Sequence, residues 1–218
     1  MAKAKKVAQE QVMVVIPKLN VQQVDITVIG DSSLVVHSWS DKARKIMLDK
    51  QMKKATEARA TKDPERDYIE SLYWCSEKPE SPTMKDVEKG EFGFPAKGFK
   101  MSAVLACHQD RTPITRTAAR GAFHVIGDII PIKGRPEPRE DMVRVGGRSK
   151  SADIRYRGEF KTPWSAKFRV RYNGDVLSAE QLVAIFDLAG FLCGLGEDRP
   201  ERGGSWGMFH VAKSGEIA

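Results

Sequence analysis

Apolar residues alternate with polar ones near the start of the chain, which is the pattern of β-strands. β-branched residues gather between Val12 and Leu19, and from Val24 to Ile29 apolar residues occupy every second position. A period of two places alternate side chains on the same face of an extended chain. Both segments are therefore predicted strands, and the polar turn after Gly30 leads into a third extended run, Leu34 to His37.

Four later segments have apolar residues at helical spacing. In the first, Ser40 is placed to cap a helix whose narrow apolar stripe lies among Lys and Arg residues, so a long basic helix is predicted. In the last, Ser178 is the predicted N-cap. The predicted helices cover residues 41–59, 65–73, 96–108 and 178–190.

Short predicted strands dominate the second half of the chain. Residues 133–139 contain two prolines and are expected to interrupt the sheet. The order strand, helix, strands, helix, strand predicts an α+β fold with a ferredoxin-like or RRM-like βαββαβ core that carries insertions. The predicted strands cover residues 121–132, 141–145, 153–160, 165–172 and 206–211.

The length of 218 residues and a hydrophobic content of 41% predict a single domain with one core. Residues 1–10 are a predicted disordered basic tail, and the domain is expected to cover residues 11–213. A helical insertion is predicted at about 41–75. A polar, Pro-rich loop excursion, expected to be exposed and mobile, is predicted at about 76–90.

The composition indicates a cytoplasmic protein. The first ten residues lack the apolar run of a signal peptide, and no stretch approaches the roughly 20 apolar residues of a transmembrane helix. Cys75, Cys107 and Cys193 are an odd number and lack the spacing of a zinc site. We therefore expect reduced thiols, with no metal and no other cofactor.

Positive charge is concentrated in one part of the chain. The net charge is +7, yet between Arg111 and Arg171 there are fifteen Lys or Arg and six Asp or Glu, so the remainder is slightly acidic. Eleven of the fifteen are arginine, whose planar guanidinium suits phosphate contacts and stacking on bases. This distribution favours an anionic partner, and the arginine bias points to nucleic acid.

Two of the predicted strands carry cations at alternate positions. Tyr156, Phe168 and Val170 are expected to face the core, so that the cations line one outer face of the sheet and follow a phosphate chain. The cations are Arg155, Arg157, Lys167, Arg169 and Arg171. The aromatic residues available for stacking on bases are Tyr156, Trp164, Tyr172 and Trp206.

A glycine-rich stretch follows the last predicted helix, from Gly190 to Gly207. The glycines come after a helix rather than before one, which excludes the dinucleotide-binding geometry at a helix N-terminus. Two interpretations remain open. The glycines allow a phosphate backbone to approach closely, with Arg199 and Arg202 beside it. Alternatively, Gly194 or Gly196 ends the helix and Gly203-Gly204 forms a turn.

No convincing catalytic constellation is present, so an enzyme is not expected. The histidines His37, His108, His124 and His210 each stand alone, without a carboxylate or Cys at a ligand spacing, and structural roles are favoured. His37, beside Ser38, is the best candidate for a general base. The acidic cluster Glu137, Glu140 and Asp141 lies near Arg139 and Arg144, and salt bridges explain it better than a metal site.

Two segments resemble the RAMP superfamily of CRISPR-associated proteins. Gly93-Phe94-Pro95-Ala96-Lys97-Gly98-Phe99-Lys100 is similar to that superfamily's entry to a helix, and the stretch from Ser178 through Gly194-Leu195-Gly196 to Phe209 resembles its glycine-rich loop and closing strand. The resemblance covers about residues 22–40 and 91–211. The chain also looks similar to uncharacterised proteins of tailed phages, for which the compartment would be the host cytoplasm.

The resemblance implies an RRM-like core that polymerises along single-stranded nucleic acid. It implies strand contacts at the helix entry and in the loop, through Lys97, Lys100, Gly194, Gly196, Arg199 and Arg202. The long basic helix and the Pro-rich excursion depart from the family pattern. No residue matches the catalytic histidine of its repeat-cleaving branch or the catalytic aspartate of its target-cleaving subunits.

The expected function is therefore binding of single-stranded RNA or DNA by a homo-oligomer, through the basic sheet face and the glycine-rich loop. One alternative is a RAMP-type endoribonuclease that uses His37 or His108. The other is a phage structural or inhibitory protein whose basic face meets an acidic protein partner.

Overall fold

The computed structural model describes residues 18–54, 61–107, 112, 114–144 and 152–216. The predicted tail, most of the predicted strand 12–19, residues 55–59 of the predicted basic helix, and His108 lie outside the described residues. The strands are β1 (Val21–Gly30), β2 (Leu34–Val36), β3 (Tyr73–Trp74), β4 (Phe92–Pro95), β5 (Phe123–Val125), β6 (Ile129–Lys133), β7 (Pro136–Arg144), β8 (Ala152–Phe160), β9 (Ser165–Asn173) and β10 (Phe209–Val211). The helices are α1 (Asp41–Gln51), α2 (Pro64–Ser71), α3 (Met84–Lys89), α4 (Ala96–Ala106), α5 (Arg116–Ala122) and α6 (Ala179–Leu192), and a 3-10 turn covers Pro200–Arg202.

The main sheet has the strand order β10-β1-β9-β6-β4-β3, and β5 also pairs with β9. Its central part is built from β1, α4, the β5 and β6 segments, β9, α6 and β10, in that chain order. These strands lie side by side as fourth, first, third and second, and every pair is antiparallel. This arrangement is the ferredoxin-like βαββαβ core, so the predicted α+β fold class is confirmed.

The alternation seen in the sequence fixes which side of the sheet is buried. β9 lies along β1 in a register that sets Phe168 opposite Ile26 and Lys167 opposite Thr27. Phe168 and Ile26 are buried, and Lys167 is exposed. A slip of one residue would exchange the two sides, so burial of the apolar positions specifies this register.

Helices α4 and α6 cover the apolar side of the sheet. The ring of Phe168 lies 4.8 Å from that of Phe99 on α4 and 5.3 Å from that of Phe186 on α6, between ring centroids. The Ser178 hydroxyl caps α6 by accepting from the backbone N–H of Gln181, as predicted from its position. With both helices on one side, the other side of the central strands is left open.

Two insertions decorate this core. Residues 31–95 separate the first core strand from the first core helix, and within them β3 and β4 extend the main sheet beyond β6. The hairpin β7–β8 is inserted between β6 and β9, and with β2 it forms a second, three-stranded sheet. Helix α2 packs on this sheet, where the Ser71 hydroxyl accepts from the backbone N–H of Gly158 over 2.9 Å.

Several predicted boundaries are wrong in ways that local structure explains. The basic helix α1 ends at Gln51, and Lys53 has a positive φ of 54°, which no helix continues through. The excursion 76–90 contains α3, which begins with a capping box between Thr83 and Asp86 and buries Val87. Residues 76–90 are therefore not a bare loop.

The main sheet is interrupted within residues 133–139, as predicted, because β6 ends at Lys133 and the chain continues into the second sheet. A new strand nevertheless begins at Pro136 and includes Pro138, because β7 is an edge strand, where proline is tolerated. The predicted strand 121–132 is instead the end of α5 followed by β5 and β6.

None of the helices that the structure describes is long and apolar enough to span a bilayer. Cys107 and Cys193 are buried free thiols and Cys75 is a partly buried one. Burial raises the pKa of the Cys193 thiol to about 11, so its nucleophilic thiolate form is suppressed.

Candidate nucleic-acid interface

The open side of the central sheet is basic. Lys167, Arg169 and Arg171 point away from the helices at alternate positions of β9, and all three are exposed. On β6, Lys133 is exposed in the same way. Asp25 is the one acidic residue in the sequences of β1 and β9. The face therefore carries a local excess of positive charge.

One of these cations is already paired. The Arg169 guanidinium donates to both carboxylate oxygens of Asp25 on the neighbouring strand, over 2.7 and 3.3 Å. This fork-to-carboxylate contact lowers the pKa of Asp25. Lys167 and Arg171 make no ion pair with any residue in the described ranges, so they are the cations available to a partner.

A second basic group lies at the edge of the same face. The Lys100 ammonium donates to the Arg120 carbonyl over 2.9 Å and lies 3.0 Å from Nδ1 of His124, which is opposite Arg171 in the sheet. Desolvation, together with the charges of Lys100 and Arg171, lowers the pKa of His124. Desolvation also lowers the pKa of Lys100. Lys100 therefore reaches the sheet face from α4, and Lys97 is exposed one turn earlier on that helix.

The prediction that five cations share one face is wrong for two of them. Arg155 and Arg157 are on β8, which belongs to the second sheet and not to the sheet that holds β9. Arg157 is only 4% exposed and binds Asp141 over 2.8 Å and Glu197 over 3.3 Å. Because its charge is compensated by carboxylates from distant segments, Arg157 is a structural residue. Arg155 is half-buried, 3.9 Å from Asp153.

Arg157 is part of a charge network that joins the β7–β8 hairpin to the glycine-rich loop. Arg139 binds both Asp141 and Glu159 at 3.0 Å, and its guanidinium lies 4.0 Å from the ring centre of Trp206. Asp141 therefore forms salt bridges, as predicted for the acidic cluster. Glu197 and Trp206 come from the loop, so the network fixes the loop against the hairpin.

The glycine-rich loop is shaped by packing against β2. Gly194 and Gly196 have positive φ values of 64° and 73°. A Cβ on Gly196 would overlap the Val35 carbonyl oxygen, and the next residue, Glu197, donates its N–H to that oxygen over 3.0 Å. The Gly194 N–H bonds the Ala189 carbonyl at the end of α6 over 2.9 Å. Of the two interpretations left open by the sequence, the geometry fits the helix end, and both glycines serve local packing.

The two arginines of the loop differ in availability. Arg199 donates to Glu201 over 2.6 Å and to the Gly196 carbonyl over 3.1 Å, so it holds the loop together. Arg202 is exposed and has no ion-pair partner among the described residues. Of the two arginines, Arg202 is the one open to a phosphate.

Most of the aromatic residues expected to stack on bases are not accessible. Trp164 is fully buried, with its indole N–H donating to the Ser32 carbonyl over 2.8 Å, and Tyr172 is 5% exposed. Trp206 is partly covered by Arg139. Tyr156 is the exception, because its partly exposed ring lines a groove in the insertion.

Two clefts meet at His37, and the sequence predicted neither. The larger has a volume of about 460 Å³ and lies between α1, α2 and β8. The narrower one, of about 220 Å³, lies between α4 and the glycine-rich loop, with Tyr73 and Arg199 in its walls. Their walls come from segments that are far apart in the chain, so no local pattern could have indicated them.

His37 is held through its backbone and not through its ring, among the residues that the structure describes. No described residue hydrogen-bonds its ring, and the Tyr73 hydroxyl donates to its backbone carbonyl over 3.1 Å instead. Desolvation lowers the pKa of His37, against a smaller opposing effect of Glu197. Within the same described ranges, no three His, Cys, Asp or Glu residues are grouped to hold a metal ion.

No protein-family model matches the chain, and no curated protein is significantly similar to it. The fold is similar to a chain in the cryo-EM structure of the Type III-B Cmr-beta bound to cognate target RNA, with a TM-score of 0.52 and 9% identity over 89% of this chain. This chain spans 60% of the length of that one. The crystal structure of Cmr6 from Pyrococcus furiosus is matched over 89% of this chain and 100% of its own, with a TM-score of 0.38 and 9% identity. The similarity to the Cmr-beta chain shows that this chain has a RAMP-like fold.

Proposed function

We propose that this protein binds single-stranded nucleic acid along the open, basic side of its central sheet and has no catalytic activity. The observation that carries the proposal is the pair of exposed, unpaired cations on β9, Lys167 and Arg171, with Lys133 and Lys100 beside them. Lys167 and Arg171 are four residues apart on one extended strand, which spaces the two charges by about 13 Å. That spacing allows the two cations to contact non-adjacent phosphates of the same extended single strand.

The chemistry of the face favours contacts to the phosphate backbone over reading of bases. The buried side chains of Trp164 and Tyr172 leave β9 and its flanks without an exposed stacking platform. Contacts to phosphates position a strand and carry no sequence information. We therefore expect binding that depends strongly on salt and weakly on sequence. The Cmr-beta structure is bound to cognate target RNA, which favours RNA as the first ligand to test.

Self-association belongs to the same proposal. Helix α1 has no buried residue, and Met47 and Leu48 are exposed on it among several lysines. Exposed apolar side chains on a helix of this kind are suited to contact another copy of the chain. Adjacent copies would then extend the basic face along a strand. The placement among tailed-phage proteins remains a prediction that this function does not require.

Gel shifts with single- and double-stranded RNA and DNA of equal length, at two salt concentrations, test the proposal. We expect single strands to bind, with affinity falling as salt increases, and no cleavage of the bound strand. Cleavage by the pure protein would support the endoribonuclease alternative instead. A protein that binds no nucleic acid but retains an acidic protein in a pull-down would contradict the proposal.

A further inference from the structure

The groove of about 460 Å³ beside β8 has walls of mixed chemistry. Its apolar walls are Tyr156 and two exposed isoleucines, Ile46 on α1 at 56% and Ile154 on β8 at 43%. Two solvent-exposed isoleucines and an aromatic ring in one groove offer apolar contacts to a flat group. The volume falls within the range of small-ligand pockets.

Two polar side chains of the groove, His37 and Ser38, are free to bind a ligand. The ring of His37 and the hydroxyl of Ser38 have no side-chain hydrogen bond to any residue in the described ranges, and both line the groove. The pKa of His37 is lowered by desolvation, so its ring is neutral near pH 7 and offers one donor and one acceptor. These groups are able to pair with the polar edge of a ligand.

Three cationic side chains also line the groove: Lys42, Lys62 and Arg155. Lys42 on α1 makes no ion pair with a described residue, and Arg155 has one long contact, 3.9 Å to Asp153. Lys62 forms a salt bridge with Asp153 over 2.7 Å and donates a hydrogen bond to the Ile154 carbonyl. Asp67 is the second carboxylate of the lining. Lys42 and Arg155 are therefore the cations open to an anionic group at this rim.

We propose that this groove takes one nucleotide of a bound single strand, with its base stacked on Tyr156 between Ile46 and Ile154 and its phosphate on Lys42 and Arg155. This inference rests on the proposed function and adds to it the place where a base is held. Flat faces, a polar edge and an anionic phosphate are the three features of a nucleotide, and the groove presents a matching surface for each. An apolar peptide would leave His37, Ser38 and the two cations without partners, which disfavours it.

Variants of Tyr156 test the stacking contact, with affinity for a fluorescent single-stranded RNA measured by anisotropy at fixed salt. Tyr156→Phe keeps the ring and should bind as the parent does. Tyr156→Leu keeps apolar volume but loses the ring, and should bind about tenfold more weakly, the effect of losing one stacked base. Because Tyr156 also packs on the core, melting temperatures of both variants are measured first.

A second variant keeps the test valid if Tyr156→Leu does not fold. Ile46→Glu changes an exposed side chain, so the fold should be unaffected, and its carboxylate should repel the phosphate and lower affinity by about tenfold. A strand that contains 4-thiouridine should also photocrosslink to the β8 segment around Tyr156 in the parent protein. Mass spectrometry of the crosslinked peptide locates the contact.

The outcomes separate this inference from the proposed function. If Tyr156→Leu and Ile46→Glu bind like the parent while removal of Lys167 and Arg171 weakens binding, the sheet face binds the strand and the groove inference is wrong. If the parent binds no nucleic acid at all, the proposed function is wrong and this inference with it. If Tyr156→Leu instead lowers the oligomer mass without nucleic acid present, the groove holds a second copy of the chain, which also overturns the inference.

Discussion

Removal of the two unpaired cations on β9 should change how binding depends on salt. Each phosphate contact to a single strand contributes about 0.7 to the slope of log affinity against log salt. The double variant Lys167→Gln, Arg171→Gln removes two contacts, so the slope should fall by about 1.4. Over a fourfold rise in salt, the parent should then lose about sevenfold more affinity than the variant. The unfolding free energy should change by less than ~0.5 kcal/mol, since both side chains are exposed.

Arg169 should contribute little to the salt dependence because it is already paired with Asp25. Replacing all three cations at once would also leave Asp25 without its partner, and this carboxylate would repel the strand. The charge-neutral variant Asp25→Asn, Arg169→Gln removes the whole pair, and the slope should stay close to that of the parent. A large loss of slope in this variant would mean that Arg169 exchanges Asp25 for phosphate on binding.

The assay is fluorescence anisotropy of a labelled single strand, titrated at four or more salt concentrations. The matched control is Lys85→Gln, Lys89→Gln on α3, which removes the same net charge outside the sheet face. If this control lowers the slope as much as the β9 variant, net charge explains binding and the face has no special role. A folded β9 variant with the affinity and slope of the parent would refute the proposed interface.

The affinity of the basic sheet face for single strands should depend on pH. His124 lies opposite Arg171 and its pKa is lowered, so its ring is neutral at pH 7 and becomes a further cation only below its ordinary value of about 6.5. Affinity for single strands should therefore rise as pH falls through this region. In His124→Gln the rise should be smaller, and an identical pH profile would exclude His124 from the interface.

The remaining predictions concern stability and assembly. Gly196→Val should lower the free energy of unfolding, measured in urea, by at least about 2 kcal/mol, because the new side chain combines a positive φ with overlap on β2. Gly203→Val also has a positive φ but has open space around it, so it should cost clearly less. Equal losses would mean that packing on β2 contributes nothing. Arg157→Met should cost about 2 kcal/mol because it removes the ion pair to Glu197 and leaves Asp141 with Arg139 alone, and the control Arg155→Met should cost under ~0.5 kcal/mol. Met47→Asp on exposed α1 should reduce the mass measured by light scattering, and a parent that is monomeric with and without a strand at high concentration would exclude self-association.

The fold class could be read from the sequence because strong periodic patterns lie in the core elements. The alternation in β1 and β9 and the capped apolar helix after Ser178 each specify one element by itself, and their order gives the βαββαβ plan. The insertions were predicted less well. Their helices are short and polar, so propensity and a capping residue such as Thr83 decide them, and these signals are weak beside hydrophobic periodicity.

The candidate site could be predicted only in part. Alternation within one strand correctly gave the outward direction of Lys167, Arg169 and Arg171, because a strand fixes the faces of its own residues. The same reasoning failed for Arg157, because strands β8 and β9 belong to different sheets and carboxylates from β7 and the loop neutralise its charge.

Local patterns were enough to predict the core elements, their order and the outward cations of β9, since each depends on a period of side chains. Packing of the whole chain determines which cations are already paired, which aromatic rings are buried, and that His37, α1 and Tyr156 line one groove. Those properties depend on residues far apart in the chain, such as Asp25, which pairs with Arg169, and His37, which lines the groove together with residues of β8. A local pattern along the chain contains no information about such pairs, because packing of whole elements brings them together.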